Sequence, residues 1–192
     1  DITYLLDTSY RISLGQLPYR DFPFAHAPLT FLLHAGILQL FGRTYLPHIL
    51  CAALEAGAAT ILTWRILLSL LRVPHDPRAK GEGIVGTLTS ANRSQNPPDR
   101  HPFPELTWLL ATLLACPLVV LGIYGIYPHP IYDSDCILSV LLALYLLQRA
   151  DTSIPRNLLA GLVCVLPLFF KQNIGLAFLL ITLTAIASIA IT

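Results

Sequence analysis

The sequence contains no methionine and little charge: 12% of its 192 residues are Asp, Glu, Lys or Arg, while 55% are hydrophobic. A typical globular domain carries about 25% charged residues, and a water-facing fold could not hide this much apolar surface. There is no basic stripe and no charge run, and the formal net charge is only +1, so nucleic acid is not expected as a partner. Neither G-x-S-x-G nor H-E-x-x-H occurs, which removes an intramembrane protease from consideration. Cys51, Cys116, Cys136 and Cys164 lie in or beside apolar runs without C-x-x-C spacing, so buried thiols are expected rather than disulfides or zinc ligands. With Asp1 first, no initiator or signal sequence visible and an apolar run still open at Thr192, the expectation is a partial gene product.

What the chain does have is a series of apolar runs near the roughly 17 to 25 residues that cross a bilayer. In lipid every backbone polar group must be paired internally, which selects helices. The expected fold is therefore all-α: a polytopic transmembrane helix bundle preceded by a structured extracytoplasmic first loop with short juxtamembrane helices. Residues 1–47 form that loop, 48–72 a span, 73–104 a cytoplasmic linker rich in Pro, Arg, Ser and Asn, and 105–192 further spans.

Within residues 1–27, turn signals at Gly15, Pro18 and Pro23 rule out one long helix. Pro28 to Gly42 reads as a short helix opened by proline and closed by glycine, lying at the interface or buried under the loop. The first span holds Glu55 and Arg65, about 15 Å apart along a helix and so unable to pair. Arg65 is expected to snorkel, and Glu55 to bond a neighbouring helix rather than face a site. Later runs cover about 106–127, 136–147 and 158–170, with Pro167 and Lys171-Gln172-Asn173 arguing for a break before the last. Arg72, Arg78, Lys80, Arg93 and Arg100 crowd the linker side, and Arg149 and Arg156 flank a later short loop, which makes both cytoplasmic by the positive-inside rule. Alternating the spans then puts residues 1–47, the turn at 127–135 and Lys171 together on the opposite face.

That face gathers acids, bases and cations. Asp7, Asp21, Asp133 and Asp135 stand with His26, His129, Arg11, Arg20, Lys171, Tyr10, Tyr19 and Tyr132. A carboxylate there could serve as general base toward a hydroxyl and a cation could steady a departing phosphate. For any one of these taken alone, a solvated loop residue is the simpler reading, and an N-cap ahead of Cys136 explains Asp133 or Asp135 without catalysis.

The segment DTSYRISLGQLPYRDFPFAHAPLTFLLHAGILQLFG, residues 7–42, resembles the first extracytoplasmic loop of integral-membrane glycosyltransferases of the GT-C type, in particular bacterial relatives of protein mannosyltransferases and aminoarabinose transferases. Those enzymes carry an acidic residue just after the first membrane helix, then G-x-x-P-Y-x-D, a proline-led juxtamembrane helix and Phe-Gly. The resemblance implies that Asp7 is the catalytic acid, acting on an acceptor while the sugar leaves a polyprenyl phosphate. Thr8 stands where many members have a second acid, which leaves metal use open, and a divalent metal ion is one possibility. Tyr10, Tyr19, Arg20, Asp21, His26, Asp133, Lys171, Gln172 and Asn173 are the implied substrate-binding residues. His26 occupies a position where some relatives have an acid, and Lys171 matches a lysine-bearing break between middle spans, suited to hold a lipid phosphate as a point charge. Snorkelling at a helix end is the alternative for Lys171. The implied partners are a polyprenyl-phosphate sugar donor, a lipid, glycan or protein acceptor, and membrane lipids; the implied location is a bacterial inner (plasma) membrane. The rival expectations are a transporter or flippase for a lipid-linked or small solute, which would use Glu55 and Lys171 but not the loop motif and would tend to show internal repeats that are not seen here, and an inactive truncated subunit.

Overall fold

The computed structural model describes residues 2–72, 104–119, 131–149 and 153–191. The expected linker at 73–104, except Pro104, which opens the fourth helix, and residues 127–130 of the expected turn, His129 among them, lie outside the described residues. Seven helices make up the described chain: α1 Ile2–Ser13, α2 Leu29–Phe41, α3 Leu46–Arg72, α4 Pro104–Val119, α5 Tyr132–Leu147, α6 Ile154–Phe170 and α7 Gln172–Ile191. The described residues contain no strand, only an isolated bridge between Pro18 and Phe22.

Two of these helices, over Leu46–Leu71 and Gln172–Ile189, are long and apolar enough to cross a membrane. Only 11% and 6% of those windows are buried within the chain, unlike the core helix of a soluble protein. Large apolar side chains such as Leu54, Ile61, Leu180 and Ile189 point outward instead.

The first helix corrects the expectation of a loop through residue 27. Every turn signal in that stretch lies at or beyond Gly15, so nothing breaks the chain before Ser13, and an Asp7–Arg11 pair spans one helical turn. Gly15, at φ 89°, then reverses the chain in the left-handed region that glycine enters without a Cβ penalty. α2 begins after Pro28 and ends at Gly42, φ 87°, as its sequence signals require. At 13 residues it rises about 20 Å, short of the roughly 30 Å hydrocarbon core. It packs along α1 and buries Phe31, Ala35 and Leu38 while Leu32, Leu33 and Leu40 face outward.

α5 packs against α3 and α6, and α6 against α7. The break between α6 and α7 falls at Lys171, whose backbone is extended (φ −148°, ψ 106°). Its N–H still donates to the Pro167 carbonyl at 2.9 Å, and Gly175 N–H donates to the Lys171 carbonyl at 2.8 Å, so the chain turns within one residue. Gly175 permits this, because a Cβ there would collide with the backbone of Pro167 and Leu168. Among the cysteines, Cys136 and Cys164 are buried and Cys51 half-buried, but Cys116 is exposed on the outward apolar face of α4, contrary to the expectation of burial for all four.

Candidate functional site

An aromatic cluster holds the loop between α1 and α2 in place. Leu5, Phe24 and Phe31 form its buried centre, with Ile12, Phe22 and Tyr132 packed around it. Phe24 meets Phe31 edge to face at 4.8 Å and Tyr19 at 5.3 Å, distances at which ring pairs attract beyond their area burial. Tyr19 adopts a left-handed backbone, φ 69°, and its hydroxyl donates to the His26 carbonyl at 2.9 Å. The loop is locked at its tip by Asp21, which accepts the Leu17 N–H at 2.7 Å and pairs with Arg20 at 2.8 Å. The Arg20 guanidinium, followed by the Leu17 N–H, holds the Asp21 carboxyl below the usual carboxylate range. Arg20 and Asp21 are thus brought to each other at the exposed tip.

His26 projects from this loop onto α5. Its ring stacks on Tyr132 at 5.2 Å and 24°, and meets Tyr4 of α1 edge to face at 5.5 Å. Lys171 reaches the same place from the α6–α7 break, pairing with Asp133 and standing 5.3 Å from the Tyr132 ring. The hydrogen bond to Asp133 raises the Lys171 ammonium above the usual lysine range. His26, Tyr132, Lys171, Gln172 and Asn173 line one cavity of about 240 Å³. On one side a second cavity, about 380 Å³, runs from His26 and Tyr132 to Tyr4 and Leu5 of α1. On the other side an apolar groove of about 610 Å³ passes Pro28, Leu168 and Leu176 and shares Gln172 and Asn173 with the first.

Asp7 does not line these cavities. It is exposed on α1, its Oδ2 accepting from Arg11 Nε at 2.9 Å. It lies three positions after Tyr4, about 4.5 Å of rise on nearly the same helix face. Arg11 in turn lies 5.9 Å from the Phe22 ring. Tyr10 points elsewhere, packing its ring under the Arg43 guanidinium at 5.0 Å, so the expectation that it joins His26 and Lys171 is not met. The reason is helical geometry: one residue turns the side chain about 100° away from the face that carries Arg11.

Asp133 and Asp135 also differ from expectation. Neither caps a helix: α5 begins at Tyr132 after Ile131, and both acids lie in its first turn. Two residues apart, they face opposite ways, Asp133 to Lys171 and Asp135 inward to Thr30 of α2. Asp135 also stands near enough to Glu55 of α3 for the two side chains to interact electrostatically, while Glu55 Oε2 is buried without a hydrogen-bond partner. Cys51 Sγ lies 3.4 Å from the same Glu55. One turn beyond Thr30, His34 Nδ1 meets His48 Nδ1 at 2.7 Å, both rings buried. Burial, together with the neighbouring His48, pushes His34 down to about 4. The hydrogen bond that Glu55 makes is to Cys51 of its own helix, not to a neighbouring helix as expected, and Asp135 is its electrostatic neighbour on α5. Thr30, His34 and His48 were missed, although two histidines in otherwise apolar helices are an available signal.

Among the described residues no group of three or more His, Cys, Asp or Glu side chains is placed to hold a metal ion. No protein-family model matches the chain, and neither a curated protein nor a solved structure does.

Proposed function

We propose that the chain is part of a polytopic membrane glycosyltransferase of the GT-C type, working on the extracytoplasmic face of a plasma membrane. It would move a sugar from a polyprenyl-phosphate donor to the hydroxyl of a lipid, glycan or protein acceptor. The observation that carries this reading is the meeting of His26, Tyr132 and Lys171-Gln172-Asn173 around one small polar cavity that adjoins an apolar groove. A lipid-linked phosphate needs both parts, donors for the anion and an apolar channel for the isoprenoid.

In this reading the Lys171 ammonium, one of whose three donors is held by Asp133, meets the phosphate with the others, and the amides of Gln172 and Asn173 add neutral donors. Arg11 orients Asp7 through Oδ2, so that Oδ1 accepts the proton of the acceptor hydroxyl. The hydroxyl oxygen attacks the anomeric carbon, the bond from that carbon to the phosphate oxygen breaks, and the lipid phosphate departs with the electron pair. Configuration inverts in this single displacement. Charge appears on the leaving phosphate, where a placed cation lowers the barrier most.

The test is transfer from a polyprenyl-phosphate sugar by membranes containing the protein, with Lys171→Gln compared at equal expression. A loss of about 100-fold or more is expected if the ammonium stabilises the leaving group; unchanged transfer removes Lys171 from the mechanism.

A second reading, a transporter or flippase, is favoured by one observation, the Glu55–Asp135–Thr30 chain of ionisable and polar groups between helices. Solute uptake by proteoliposomes that is lost in Glu55→Gln, without sugar transfer in any variant, would select it.

A further inference from the structure

The proposed transfer gives the lipid phosphate Lys171, Gln172 and Asn173, and the acceptor Asp7, but assigns no place to the sugar between them. The cavity of about 380 Å³ between His26 and α1 is so far without an occupant. Its volume falls in the range of small-molecule sites, about 300 to 1,000 Å³. Four rings, Tyr4, His26, Phe31 and Tyr132, form its walls together with three aliphatic side chains. Among the described residues no carboxylate, ammonium or guanidinium lines it. His26 and Tyr132 also line the cavity that contains Lys171, so the two spaces adjoin at that stacked pair.

Tyr4 is the most exposed of the four rings. It keeps 41% of its surface accessible although His26 meets it edge to face at 5.5 Å and Phe31 at 5.8 Å. Phe31 is fully buried, and Tyr132 already has His26 stacked on it and the Lys171 ammonium 5.3 Å away. Two aromatic neighbours therefore fix the Tyr4 ring in advance, and a ligand resting on it has little side-chain freedom to remove. Asp7 follows one turn later on nearly the same face of α1. A group held against Tyr4 thus has the Lys171 cavity on one side and the Asp7 carboxylate within about a helical turn of its support.

Building on the proposed lipid-phosphate transfer, we infer that this cavity takes the sugar ring of the donor, that the sugar is a neutral one, and that Tyr4 is the ring it rests on. A pyranose suits such walls because it presents C–H bonds on a face and hydroxyls around its rim. Aromatic rings offer a negative face to those hydrogens, and phenol and imidazole can donate to or accept from the hydroxyls. A sugar carboxylate suits them poorly, since it would exchange water for walls without a cation, and burying an unpaired charge is costly. With the phosphate beside Lys171 and the sugar beside Tyr4, the bond that breaks lies at the His26–Tyr132 pair, where the two cavities adjoin. Tyr4 then sets which sugar is accepted and takes no proton.

The test measures equilibrium binding by the full chain purified in detergent, with three polyprenyl phosphodiesters of equal chain length: the glucosyl, the glucuronosyl and the methyl ester. All three share the lipid and the phosphodiester charge and differ in what enters the cavity. The glucosyl diester should bind about tenfold more tightly than the methyl, and the glucuronosyl no more tightly than the methyl. Tyr4→Leu, which keeps apolar bulk and removes the ring, should cost about three- to tenfold for the glucosyl diester alone, and Tyr4→Phe should restore most of that loss. A glucosyl diester bound no more tightly than the methyl would overturn the sugar site while leaving lipid-phosphate binding in place. Equal affinity for the glucuronosyl and glucosyl diesters would overturn the neutral class. A Tyr4→Leu loss shared equally by the methyl diester would report a general distortion and overturn Tyr4 as the contact. Absence of binding by all three would overturn the lipid-phosphate reading itself and this site with it.

Discussion

Lys171 and Asp133, 38 residues apart in the chain, form an ion pair that ties the first turn of α5 to the one-residue break between α6 and α7. Each side chain keeps somewhat over a quarter of its surface exposed, so the pair contributes about 0.5 to 1 kcal/mol and no more. Its larger effect is on position. Asp133→Asn is expected to lower the melting temperature only slightly while reducing sugar transfer, because the lysine loses the partner that holds it beside Tyr132. Thermal melting in detergent alongside the transfer assay separates the two effects, and a large stability loss with normal transfer would contradict it.

The close approach at Gly175 gives a second prediction. Alanine there would drive its methyl into the Pro167–Leu168 backbone, which cannot yield as a flexible side chain would. Gly175→Ala should destabilise the protein by about 1 to 3 kcal/mol, in the range of overpacked sites. It should also displace Lys171, so that donor binding weakens together with stability. Gly57, where an added Cβ meets nothing within 4 Å, is the control, and Gly57→Ala should be close to neutral.

The buried His34 makes stability depend on pH. It is pushed down to about 4 from an ordinary 6.5, so the folded protein keeps the ring neutral where the unfolded chain already binds a proton. Stability is therefore full above about 6.5 and falls as the pH drops toward 4, by up to about 3 kcal/mol, because the unfolded state binds more protons in that window. Melting curves between pH 7 and 4.5 measure the slope. His34→Gln, which cannot titrate but can still bond His48, should flatten it, and an unchanged slope would locate the sensitivity in other groups.

At the loop tip, Asp21 holds both Arg20 and the Leu17 N–H, and its carboxyl sits below the usual range because the ionised form is the one bonded. Asp21→Asn should loosen residues 15–24 and raise their hydrogen exchange without melting the helices. Protection equal to wild type would show that the aromatic cluster alone orders the loop.

How far the sequence foretold this arrangement depended on the kind of signal. Punctuation by proline and glycine worked well. Pro28 and Gly42 bound α2 within a residue of expectation, and Pro167 with the Lys-Gln-Asn trio marked the α6–α7 break. Counting alternate spans brought His26, Asp133 and Lys171 to one face, and they do meet around Tyr132. Facing direction was less legible. Tyr10 looked equivalent to its neighbours in the motif, yet a single helical step carries it to Arg43, and α1 itself was hidden because residues 1–13 mix polar and aromatic side chains without a long apolar run. The pairing of His34 with His48, and the approach of Glu55 to Asp135, are tertiary facts about neighbouring helices that no local pattern encodes.

The central claim is that Asp7 takes the proton of an acceptor hydroxyl while a lipid phosphate departs near Lys171. The most direct measurement is single-turnover transfer from a polyprenyl-phosphate sugar by purified wild type and Asp7→Asn, with donor retention measured on the same samples. Asparagine keeps the shape but cannot accept the proton, so transfer should fall by about 10²- to 10⁴-fold, the usual contribution of a general base, while donor retention stays at the wild-type level. Transfer by Asp7→Asn at the wild-type rate would contradict the assignment.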